Sequence, residues 1–77
     1  MVDIHLLKLA LLHKEYNCAA YLMIQLASEY LEGYIDESKD QFNQFFVQLP
    51  AEVLRLMIAD NTFNCVTEIC KKRLAQL

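Results

Sequence analysis

Residues Phe46 to Glu68 read FVQLPAEVLRLMIADNTFNCVTE and hold the chain's only proline, Pro50, between two apolar segments. Proline has no backbone N–H and biases the residue before it away from the α region. One helix is therefore predicted to stop near Gln48 and another to begin at Pro50 or Ala51. Beyond that boundary Val53, Leu54, Met57 and Ile58 recur at helical spacing, with Glu52 in the first turn, where the helix dipole favours an acid. Asp60-Asn61-Thr62 breaks the pattern. Asn64 or Thr67 is then predicted to cap a closing helix that carries Ile69, Cys70 and Leu74.

Upstream, Asp3 is predicted to cap a first helix bearing Ile4, Leu6, Leu7, Ala10, Leu11 and Leu12, interrupted by His5, Lys8 and His13. So wide an apolar face predicts burial over most of its circumference. His13 to Asn17 reads as a turn, with Asn17 capping a second helix from Cys18 to about Glu32. On that helix Cys18, Leu22, Leu26 and Tyr30 form one apolar row, and Ile24, Ala27 and Leu31 lie beside it. Ala19, Ala20, Ala27 and Ser28 are small enough to admit a close neighbour. Gly33 stands where a left-handed C-cap belongs. Tyr34 to Lys39 connects to a short third helix through Phe42, Phe45 and Phe46, a predicted core cluster. The result is an all-α fold, a bundle of about five sequentially antiparallel helices in one domain over residues 1–77.

Composition agrees with this class. The chain is 77 residues long and 56% hydrophobic, with one Gly and one Pro, which argues against disorder and against a loop-rich or all-β fold. A chain this short buries only about 60–65% of its unfolded surface. So apolar a composition implies that part of it faces a partner, either a second copy or the rest of a longer chain from which this piece comes. Net charge is −3, and Lys71-Lys72-Arg73 is the only basic cluster, so no nucleic-acid partner is expected. That run reads as complementing a helix C-terminus. Asp3 and Lys8 interrupt the N-terminal apolar run, and no stretch reaches the ~18–20 apolar residues of a membrane span. An intracellular chain, cytoplasmic or nuclear and without a membrane partner, is expected. Cys18, Cys65 and Cys70 are odd in number and fit no disulfide framework or zinc spacing; all three are predicted to be buried as small hydrophobes.

The order of features from Phe46 to Glu68 resembles the second half of the BACK domain, the helical module that follows the BTB domain in many cullin-dependent ubiquitin-ligase adaptors. Its pattern of F-x-x-L-P, amphipathic helix, amide turn, hydrophobic-Asn-hydrophobic step and Ser/Thr-Glu is met by Phe46, Leu49, Pro50, Leu54, Met57, Ile58, Asn61, Phe63, Asn64, Cys65, Thr67 and Glu68. The first half is similar through Leu9, Ala10, His13, Tyr16, Cys18, Leu22, Ala27, Tyr30 and Leu31, with about four extra residues before Phe46. The resemblance implies a non-catalytic spacer that orients a substrate-binding element relative to a ligase scaffold, with ligase components as partners. Neither a BTB domain nor kelch repeats lie within these residues.

No residue pattern points to chemistry. His5 and His13 are eight apart and lack the four-residue spacing of a shared metal site. Glu29, Glu32, Asp36, Glu37 and Asp40 are acidic, but Gly33 precedes most of them, unlike the glycine turn of a calcium loop. A single glycine excludes a Walker-type phosphate loop, and neither Ser28 nor Ser38 lies in a nucleophile elbow. A Cys18–His13 dyad would lack a third orienting group and a cleft. Neither an enzyme nor a cofactor or metal site is expected. Core and interaction residues are predicted to be Phe46, Leu49, Pro50, Val53, Leu54, Met57, Ile58 and Phe63.

Two other readings stay open. LPAEVLRLMI followed by ICKKRL also resembles the start and finish of the F-box, which binds the linker protein of another ligase class. HKEYNCAAYLMIQLA looks like one tetratricopeptide-type helix, a piece of a solenoid scaffold or a self-associating bundle.

Overall fold

The computed structural model describes residues 3–31 and 44–77, and every regular element among them is helical. Helix α1 spans Ile4–Leu12, α2 Tyr16–Leu31, α3 Ala51–Asp60 and α4 Asn64–Gln76; residues 44–46 are also helical. The all-α class is therefore correct. Gly33, the Tyr34 to Lys39 connection and Phe42 fall outside the described residues.

Each boundary has a local cause. Asp3 caps α1, its Oδ1 accepting from the His5 N–H at 2.9 Å. The helix ends in a Schellman motif: the Glu15 N–H reaches the Ala10 carbonyl at 2.8 Å and the Lys14 N–H the Leu11 carbonyl at 3.3 Å. Lys14 sits there at φ 59°, in the left-handed conformation that glycine adopts without strain. This tight turn starts α2 at Tyr16, so Asn17 lies inside the helix rather than capping it. Pro50 is the N-cap of α3, as its missing donor requires, and its carbonyl accepts from the N–H groups of Val53 and Leu54. Asn61 closes α3 in the left-handed region at φ 50°, which its short polar side chain tolerates. Neither Asn64 nor Thr67 caps α4. Phe63 takes the cap position with its backbone alone, and the Thr67 hydroxyl instead donates to Asn61 Oδ1 at 2.8 Å, tying the first turn of α4 to the end of α3.

Packing runs from neighbour to neighbour: α1 on α2, α2 on α3, α3 on α4. The core consists of Leu7 and Ala10 from α1, Ala19, Ala20, Met23, Leu26 and Ala27 from α2, Phe45, Phe46 and Leu49, then Val53, Leu54 and Met57 from α3 and Val66 and Cys70 from α4. Ala19, Ala20 and Ala27 of α2 are all buried in this core, where their small size suits a helix interface. The buried stripe of α2 is centred on Ala19, Met23, Leu26 and Ala27, rotated from the predicted rows, which leaves Cys18 and Leu31 exposed. The expected burial of α1 does not hold. Only Leu7 and Ala10 are buried, while Leu6, Leu9 and Leu12 are 53%, 48% and 73% exposed, because among the described residues nothing covers the outer side of this helix.

Two stability predictions follow from these positions. Leu54 has no exposed surface, so Leu54→Asp places an unpaired carboxylate in the core at a cost of several kcal/mol. The variant is expected to lose its cooperative thermal transition; a melt matching the parent contradicts the burial of this face. Lys14→Gly relieves the left-handed strain and is expected to raise stability by about 0.5–1 kcal/mol. The check is a higher urea midpoint at unchanged slope.

Candidate functional site

The predicted core and interaction residues converge on one region. Phe46, Leu49, Val53, Leu54 and Met57 are buried together, and Pro50, Ile58 and Phe63 are partly buried around them. They form the seat of α3, and their side chains face inward. The exposed surface is made by other residues.

One such surface is the outer side of α1, where Leu6, Leu9 and Leu12 stand exposed among His5, Lys8 and His13. A second is a groove between α2 and α3. At its first end lies a depression of about 460 Å³ lined by Lys14, Tyr16, Asn17, Glu52, Arg55 and Leu56. Next to it lies one of about 330 Å³, lined by Asn17, Ala20, Tyr21, Ile24, Leu56, Ala59 and Asp60. Asn17 and Leu56 border both. The lining advances from Asn17 to Ile24 along α2 while it advances from Glu52 to Asp60 along α3, so the two helices run in the same direction. That is the sense expected of elements separated by one intervening helix in an alternating bundle.

The electrostatics of the groove are uneven. At the first end the Tyr16 hydroxyl hydrogen-bonds the Glu52 carboxylate. Partial burial, followed by the charge of Glu52 and that bond, pushes the Tyr16 phenol above its usual range. Lys14 and Arg55 line the same end, and neither forms an ion pair among the described residues. At the far end Asp60 accepts a hydrogen bond from the Thr62 hydroxyl. The outer wall includes Tyr21, 62% exposed, whose hydroxyl accepts from Gln25 Nε2 at 2.9 Å. Sequence periodicity missed this groove because its lining is shared between two helices, Tyr16, Asn17, Ala20, Tyr21 and Ile24 on one and Glu52, Arg55, Leu56, Ala59 and Asp60 on the other, and neither set stands out within its own helix.

Other candidates behave differently. Cys18 and Cys65 are exposed, against expectation, since α2 and α4 turn their alanine and valine stripes inward instead; Cys70 alone is buried, and burial pushes its thiol up to about 11. His5 and His13 are exposed, and no group of metal-ligating side chains forms among the described residues. No helix among those residues is long and apolar enough to cross a membrane.

The Lys71-Lys72-Arg73 run does more than complement a dipole. Lys71 pairs loosely with Glu68 at 3.7 Å, both side chains exposed, whereas Arg73 Nη2 donates to the Val47 carbonyl at 2.8 Å. In the turn before Pro50 the Gln48 N–H bonds the Phe45 carbonyl and the Leu49 N–H bonds that of Phe46. The next bond in this series would need an N–H at Pro50, which has none, so Arg73 supplies the donor for Val47.

Comparison with protein-family models, curated proteins and solved structures yields no match. Arg73→Met, which keeps the stem and removes the donor, is expected to lower stability by about 1–2 kcal/mol in urea melts. An unchanged midpoint removes the Arg73–Val47 bond from the account.

Proposed function

We propose that this chain is a non-catalytic protein–protein interaction module, a BACK-like spacer of a cullin-dependent ubiquitin-ligase substrate adaptor. The observation that carries the reading is the seating of the Phe46-to-Met57 segment. The residues that carry the resemblance, Phe46, Leu49, Leu54 and Met57, form a single buried centre on which α2 and α4 pack. Such a centre makes the module stiff enough to hold its neighbours at a fixed angle. Neighbour-to-neighbour packing leaves the outer faces of a helical array free to meet flanking elements. The exposed leucines of α1 offer one such face.

The neighbour-to-neighbour packing favours one alternative as well, a piece of a solenoid-type scaffold. Affinity capture of the tagged chain from cells, read by quantitative mass spectrometry, separates the readings. Enrichment of a cullin or of BTB-containing chains is expected. Enrichment of the F-box linker protein instead moves the chain to the other ligase class. Recovery of the bait as a dimer with neither component discards the ligase reading in favour of a self-associating scaffold.

A further inference from the structure

We infer that the groove between α2 and α3 is a docking site for a short amphipathic helix of a partner protein, with carboxylates at the end of that helix that meets Lys14 and Arg55. The inference rests on the reading of the chain as an interaction module and is independent of its place in a ligase. A spacer needs only its flanking contacts; this groove lies between two of its own helices and has features of its own.

Its shape fits a helix. Its apolar lining is Ala20, Ile24, Leu56 and Ala59, small or branched side chains, joined by the rings of Tyr16 and Tyr21. From Asn17 to Ile24 the groove advances about 10 Å, so an occupant lays down roughly two turns. Two turns present apolar anchors at i, i+3, i+4 and i+7, the pattern by which helices enter grooves. Tyrosines in the lining offer apolar contact area together with a hydroxyl, a combination enriched in interfaces.

Its charge sets the direction and the partner's chemistry. Lys14 and Arg55 bring two cations to the first end, against one carboxylate, Glu52, which the Tyr16 hydroxyl already engages. Because α2 and α3 run in the same direction, their N-termini at Tyr16 and Ala51 lie at that same end and add the positive ends of two helix dipoles. The opposite end carries Asp60. A partner helix with Asp or Glu at one terminus and Lys or Arg at the other therefore fits in one orientation only; reversed, it meets like charge at both ends.

The test uses the 77-residue chain as it stands. A displayed library of helices of about four turns, with leucines at helical-face spacing and all other positions randomised, is sorted for binding to the labelled chain. Enriched sequences are expected to gather Asp and Glu toward one terminus. Their affinity is expected to fall by about tenfold or more for the double variant K14E/R55E, which reverses two exposed charges, and for Ala59→Arg, which fills the groove from an exposed position. Thermal melts of the variants report that the fold is retained. Amide signals of Asn17, Ala20, Ile24, Leu56 and Ala59 are expected to shift when a selected peptide is added. Failure to enrich any helix, enrichment without acidic bias, indifference to K14E/R55E, or shifts confined to Leu6 and Leu9 of α1 each overturn the inference. The selection contains no cellular protein, so its outcome and that of the ligase capture are read separately.

Discussion

A missing hydrogen at residue 50 governs how this chain is assembled. Pro50 cannot donate, so the helical turn through residues 44–46 has to stop, and α3 has to begin immediately after it. The Val47 carbonyl loses the partner its neighbours have, and Arg73 on the last helix fills the vacancy from twenty-six residues away. One residue thereby fixes a boundary and recruits a long-range bond that fastens α4 beside the segment leading into α3. The side of α3 that turns inward is the one carrying Val53, Leu54 and Met57.

Around that side the energetics are those of close packing. Burying a Leu, Met or Val contributes roughly 1.5–3 kcal/mol, and Met23, Leu26, Val53, Leu54 and Met57 are all essentially inaccessible to solvent. Ala19, Ala20 and Ala27 are buried beside them, small side chains of the kind that suit a helix interface. Polar groups strengthen the corners of this core. The Thr67–Asn61 bond holds α4 against the end of α3, and the Asp3 cap and the Schellman motif bound α1. Neighbouring helices share these contacts, so each helix is held by the one before it and the one after it.

The sequence was informative where one residue type has one physical use. Proline as a helix start, aspartate as an N-cap, small alanines on an inward helix face and the break of α3 at Asp60-Asn61-Thr62 each could be read from the chain. It was less informative where context chooses. Lys14 in a left-handed C-cap shows no sign of that role, because glycine is the residue that advertises it. Phe63 displaces Asn64 and Thr67 from the cap because the backbone enters α4 one residue earlier, leaving Thr67 to bond Asn61. Hydropathy alone made α1 look buried over most of its circumference, because Leu6, Leu9 and Leu12 facing solvent are the same residue type as Leu7 facing the core. Cys18 and Cys65 were misplaced for the same reason. The groove was invisible because it belongs to the pairing of two helices and to neither one by itself.

The thin anchoring of α1 has a dynamic consequence. Leu7 and Ala10 are its only buried side chains, with Ile4 and Leu11 partly covered, whereas α3 is held by three buried side chains with helices on two sides. Stability is therefore graded along the chain. Its thin burial makes the amino-terminal helix the unit expected to open first, with amide protons expected to exchange before those of Val53 to Met57. Whatever covers Leu6, Leu9 and Leu12 would quench that fraying and lengthen the lifetime of the whole array.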